Sequence, residues 1–158
     1  MVTTIYEVVG CIPLFILVRF CLLIRKVGDA RVFIDHGQLT LGNEIMLHSE
    51  QVVCGEVHVK QSYLALVCEK AVSTNGRRWD ISRLYEEVID GPRDHYSRKK
   101  NTIKISNTCV LPVEGEPSSH KNEGNPRYKW YIEAVTRIIN GPDYKAKFPI
   151  LVQAREKA

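Results

Sequence analysis

Three groups of residues have types and spacings that could do chemistry. The first is a thiol–imidazole pair, Cys54 and His58. On a strand these two side chains point to one face but stand about 13 Å apart along the chain. Proton transfer needs about 3 Å, so a structural or exposed role is expected for both. The second group is the five histidines, His36, His48, His58, His95 and His120. They are scattered, and neither a metal site nor a cofactor is expected. No phosphate-cradling glycine loop, HExxH helix, CxxC pair or nucleophile elbow is present. The expectation is therefore a protein that binds and does not catalyse.

The third group carries more weight. Arg77 and Arg78 precede Trp79, and Arg98, Lys99, Lys100 and Lys104 follow His95 and Tyr96. A positive side chain near an anionic leaflet gains about 1 kcal/mol, and Trp or Tyr suits the headgroup layer. These eight residues, Arg77, Arg78, Trp79, Tyr96, Arg98, Lys99, Lys100 and Lys104, form the candidate site for a membrane or another anionic partner. Nucleic-acid phosphates are the weaker alternative, because few aromatics are available for base stacking. A solvated loop without a partner is the plain alternative. Gln51–Gly55, QVVCG, resembles the Q-x-V-x-G inhibitory loop of the cystatins. The long helix before that loop and the Pro-Trp hairpin after it are not evident here.

The elements that must position these residues fit in 158 residues, the length of one domain. An apolar fraction of 44% and a charged fraction of 25% exclude a disordered chain, a collagen and a disulfide-dense scaffold. A net charge of +4 is too mild to name a partner by itself. The five cysteines are odd in number and widely spaced, with Cys11, Cys21 and Cys68 inside apolar runs. They read as free thiols in a reducing compartment.

Residues 1–26 form an apolar N-terminal segment. Between Val8 and Ile24 the only charge is Arg19, and Arg25 and Lys26 follow. One reading is a single membrane-spanning helix with the basic pair on the cytoplasmic side. The other is a buried or membrane-surface pair of strands, because Gly10, Pro13 and Arg19 divide the run and Val, Ile and Phe favour strands. A cleaved secretory peptide is not expected, for lack of a basic start and a small-residue cleavage site.

Residues 27–158 are expected to form a single α+β domain. Short strands and tight turns fill Ala30–Val72, with a central strand at Tyr63–Cys68 and later strands at Thr102–Val110 and Phe148–Ala154. Ile81, Leu84, Tyr85, Val88 and Ile89 have helical spacing, Asp80 can cap them, and Gly91 supplies a left-handed stop before Pro92. Tyr128, Tyr131, Ile132, Val135, Ile138 and Ile139 give a second stripe after Asn125-Pro126. The spacing predicts two short helices on a mainly antiparallel sheet. Both basic clusters would flank the first helix and could share one face. Residues 111–125, rich in Pro, Gly, Ser and Glu, read as a mobile surface loop.

The order SYLALVCEKAV, STNGRRW, DISRLYEEVI, HYSRKK, NTIKISNTCV resembles the core of rhabdovirus matrix proteins, especially the short plant-infecting ones. The resemblance covers about a third of the chain. The proline-tyrosine late-domain motif and the disordered basic N-terminus of many animal-virus members are absent. It implies a non-enzymatic virion protein that self-associates beneath a membrane and binds a nucleoprotein. The expectation is thus a membrane-associated assembly protein at the cytoplasmic face. A single-span anchored movement or accessory protein is the first alternative, and a small enzyme with a dispersed site the second.

Overall fold

A computed structural model describes residues 26–35, 37–74, 78–119 and 125–155. Its described residues contain nine strands and no helix: β1 (Val27–Ile34), β2 (Leu39–Thr40), β3 (Glu44–Val53), β4 (Val57–Thr74), β5 (Arg78–Ser97), β6 (Asn101–Val110), β7 (Arg127–Ile138), β8 (Tyr144–Ile150) and β9 (Val152–Gln153). The expected α+β class with two short helices is therefore corrected to all-β. The apolar run at residues 8–24 lies outside the described residues, and both readings of it lie there too.

The strands form a three-stranded sheet β1-β3-β6, a four-stranded sheet β5-β4-β7-β8 and a small parallel pair β2-β9. The two larger sheets are antiparallel throughout. Period-two sequence explains the first: Ile45, Leu47, Ser49, Gln51 and Val53 of β3 are all buried and their neighbours are not. The turn into β4 uses Gly55 at φ +77°, a conformation that glycine adopts without a Cβ penalty. β4 is central in its sheet, as the run at Tyr63–Cys68 predicted. The two sheets meet over one main core that contains Ile45, Leu47, Leu64, Leu66, Trp130 and Ile132. A smaller cluster of Val27, Val53, Val57, Val59, Ile103 and Ile138 closes one end.

Polar side chains are also buried among these apolar groups. The Ser62 hydroxyl lies 3.1 Å from that of Thr136, which donates to Gln51 Oε1. Gln51 Nε2 in turn donates to the Gly28 carbonyl at 2.9 Å. Each member is paired, so burial leaves no orphaned group in this chain of bonds. It joins β1 and β3 of one sheet to β4 and β7 of the other.

Both expected helices are strands, for identifiable reasons. In β5 a bulge opposite Cys68 and Glu69 breaks the alternation, with Arg83 opposite Glu69 and Tyr85 opposite Cys68. The extra residue, Leu84, shifts the phase. Residues 81, 84, 85, 88 and 89 then mimic a helical stripe while lying on a strand. In β7, Trp130–Ile132 and Ala134–Thr136 are buried without a break. A strand covered on both faces reads as a continuous apolar run, from which a helical subset can always be picked. Gly91 is also corrected. It is not among the positive-φ glycines. A Cβ there would lie 2.5 Å from both the Ser62 carbonyl oxygen and Ile105 Cδ1. Glycine is needed because β5 passes hard against β4 and β6.

Candidate functional site

Turning the first helix into a strand separates the two basic clusters. An 11-residue helix would hold its ends about 16 Å apart. Trp79 and Ser97 stand instead near opposite ends of the 20-residue β5, opposite Ser73 and Val57 of β4, roughly 50 Å apart along an extended strand. The expectation of one shared basic face is not met. Arg77 lies outside the described residues.

Tyr96, Arg98, Lys99 and Lys100 stay together at the β5–β6 turn. Ser97 is buried, and its hydroxyl donates to the Lys99 carbonyl at 2.6 Å, which closes the turn. Arg98, Lys99 and Lys100 therefore project outward, all exposed. The Arg98 guanidinium lies 5.7 Å from the Tyr96 ring centre, and His58 meets the same ring edge-on at 5.9 Å. The His95 ring contacts Asn101 Nδ2 at 2.8 Å across the turn. Among the described residues none of Arg98, Lys99 and Lys100 is ion-paired.

Lys26, the first described residue, lies at the same end of the fold. The Lys26 carbonyl accepts from the Cys54 amide at 2.7 Å, and Lys26 Nζ donates to the Glu56 carbonyl at 3.3 Å. The neighbouring register pairs Val57 with Ser97 and Val53 with Asn101. Ile139, 38% exposed, is tied to the His58 carbonyl at 2.9 Å. Lys26, the β3–β4 turn, the basic turn and Ile139 thus gather at one end. The sequence showed the charges but not this meeting, which depends on strand register.

Lys104 is differently placed. Its ammonium pairs with Glu50 at 2.8 Å on the outer face of the β1-β3-β6 sheet. That contact and the neighbouring His48 hold the Glu50 carboxyl below its ordinary range. At the far end of β5, Trp79 is 42% exposed with the Arg127 guanidinium 4.8 Å from its ring, and Arg78 faces Asp80 at 3.7 Å.

A cluster not foreseen from the sequence covers the outer face of the four-stranded sheet. Opposite Ala71, Glu69, Val67 and Ala65 of β4 stand Ile81, Arg83, Glu86 and Val88 of β5. Arg83 pairs with Glu86 at 2.7 Å and reaches Glu133 at 3.7 Å. The Tyr131 hydroxyl donates to Glu69 and accepts from Lys147 at 3.0 Å. Burial works to raise the Glu69 carboxyl, but the Tyr131 and Lys147 hydrogen bonds and nearby positive charge hold it below its ordinary range. Burial pushes the thiols of Cys68 and Cys109 up to about 11 and about 12, which keeps them protonated and unreactive. Cys54 is exposed.

The segment expected as a mobile loop makes several bonds over its described part. Glu116 O accepts from Trp130 Nε1 at 2.7 Å, Ser118 N donates to Val152 O at 2.8 Å, and Ser119 N donates to Tyr128 O at 3.0 Å. A groove of about 450 Å³ runs beside it, lined in part by Glu69, Tyr128, Tyr131, Lys147 and Leu151.

No protein-family model matches the sequence, and no curated protein matches it. The fold is similar to that of Spo0M, the sporulation control protein from Bacillus subtilis, with a TM-score of 0.66 at 11% identity. The match covers 82% of this chain and half of that one. At this identity the likeness concerns the fold alone.

Proposed function

We propose that this chain is a non-enzymatic binding and assembly module held against an anionic membrane surface by the end that carries Tyr96, Arg98, Lys99 and Lys100. The observation behind this reading is the meeting of Lys26 with that basic turn. Along the sequence, the apolar run ends at Ile24, two residues before Lys26. In the sequence, grease and positive charge adjoin at this point. Apolar insertion with a polybasic patch is the two-signal arrangement that gives stable membrane attachment. Lys26 adds a fourth positive charge, and Tyr96, half exposed, offers an amphipathic ring at headgroup depth. Arg78, Trp79 and Lys104 lie away from this end and take no part in the reading.

Flotation of the full chain with vesicles of neutral or partly anionic lipid tests it. Three basic residues at about 1 kcal/mol each amount to roughly a hundredfold in partitioning. Arg98→Glu, Lys99→Glu and Lys100→Glu together should lower binding to anionic vesicles at least that much. The difference should shrink at high salt. Equal flotation of the triple variant and the parent on anionic vesicles would remove the basic turn from the reading. Carbonate-resistant retention of that variant would then favour the alternative of a single-span anchor. Binding to single-stranded nucleic acid in place of vesicles would move the turn to a different partner.

A further inference from the structure

The far half of β5 presents a different surface, one independent of membrane attachment. β5 is an edge strand, and among the described residues only β4 pairs with it. Every residue from Arg78 to Leu84 is exposed. Ile81, Leu84 and Val88 are 65%, 52% and 50% exposed, on a strand with its outer edge open. An open edge of this length, carrying large apolar side chains, is a template for strand addition.

The bulge makes this edge self-complementary. Because Leu84 is the extra residue, Ile81, Arg83, Glu86 and Val88 all lie on the outer face, opposite Ala71, Glu69, Val67 and Ala65. Their order is apolar, positive, negative, apolar, symmetric about the Leu84–Tyr85 bond. We infer that two copies of this chain pair antiparallel along β5 about that point, so that two four-stranded sheets become one continuous sheet. In this register Arg83 stands opposite the second copy's Glu86, and Ile81 opposite its Val88, each twice by symmetry. On the other face Ser82 meets Glu87, and Trp79 meets Asp90 on the outer one. No pair of like charges arises. A slip of one residue would set outer side chains against inner ones. The neighbouring register that keeps the faces, two residues toward the hairpin tip, sets Asp80 against Glu87. The partner is therefore a second copy in one register, an isologous contact. The intrachain Arg83–Glu86 pair at 2.7 Å becomes part of a four-charge square, so no charge is left alone.

The test uses the full chain without lipid, by sedimentation velocity over a concentration series. The parent should show a monomer–dimer equilibrium. Arg83→Glu places glutamates opposite glutamates twice, and Glu86→Arg places arginines opposite arginines twice. Each single variant should dimerise on the order of tenfold more weakly or worse. Mixed one to one, the two variants complement each other. The first then carries carboxylates at both positions of the pair, the second carries guanidinium groups at both, and a heterodimer should form. Recovery on mixing cannot come from damaged folding, and circular dichroism of each variant provides the control. A parent that remains monomeric throughout overturns the inference, as does a mixture that shows no more association than its components. Either failure leaves vesicle binding through Arg98, Lys99 and Lys100 untouched, and loss of vesicle binding leaves the dimer untouched.

Discussion

Gly91→Ala is the most exacting probe of how β5 is placed. The added methyl would sit 2.5 Å from the Ser62 carbonyl oxygen and 2.5 Å from Ile105 Cδ1. The Ile105 atom can swing aside, since it ends a flexible side chain. The Ser62 oxygen cannot, because it belongs to the backbone of the central strand β4. Relief requires β4 and β5 to separate locally, next to the buried Ser62–Thr136 hydroxyl contact. Overpacking that forces backbone shifts costs about 1–3 kcal/mol, and this site belongs at the upper end. For a domain of this size that corresponds to a drop in Tm of roughly 6–12 °C. Urea unfolding followed by tryptophan fluorescence reads it well, because Trp130 is 2% exposed and Trp79 already faces water. The double variant Gly91→Ala/Ile105→Val, which removes the movable atom, should recover only a minor part. A Gly91→Ala protein as stable as the parent would refute the close approach of β5 to β4 and, with it, the position of the basic turn.

Two further outcomes concern the interior and the outer face. Thr136→Val removes the hydroxyl that bonds Gln51 and Ser62 and should destabilise by about 1–3 kcal/mol in urea unfolding, since it strands buried polar groups. An unchanged midpoint would show that this chain of bonds contributes nothing. Glu69 has a folded pKa below its ordinary value of 4.5, so its contribution to stability is present above about pH 4.5 and lost as pH falls through the lower folded value. Glu69→Gln should flatten the acid limb of the stability profile in that window and leave the slope near neutrality unchanged. A parallel loss for parent and variant in acid would discount the Tyr131 and Lys147 bonds as the cause.

The strands within Glu44–Val53 and Asn101–Val110 were legible as strands, whereas their pairing in one sheet depends on contacts far apart in sequence. β5 and β7 were not legible as strands. A bulge at Leu84 and two-sided burial at Trp130–Ile132 each scramble the alternation that marks a strand. The Arg98–Lys100 turn was visible as charge, whereas its proximity to Lys26 arises from contacts far apart in sequence. The symmetric run in β5 was hidden for the same reason as the strand itself. Its four residues share a face only once the phase shift is known.

The buried line from Ser62 through Thr136 and Gln51 to Gly28 has a consequence for how the two sheets sit on each other. Layers of aliphatic side chains alone tolerate sliding, because one greasy contact substitutes for another. Here any lateral creep would drag hydroxyl and amide groups into hydrocarbon with nothing to meet them. The line works as a key in a slot: it dictates alignment, so the two large sheets keep a single fixed offset.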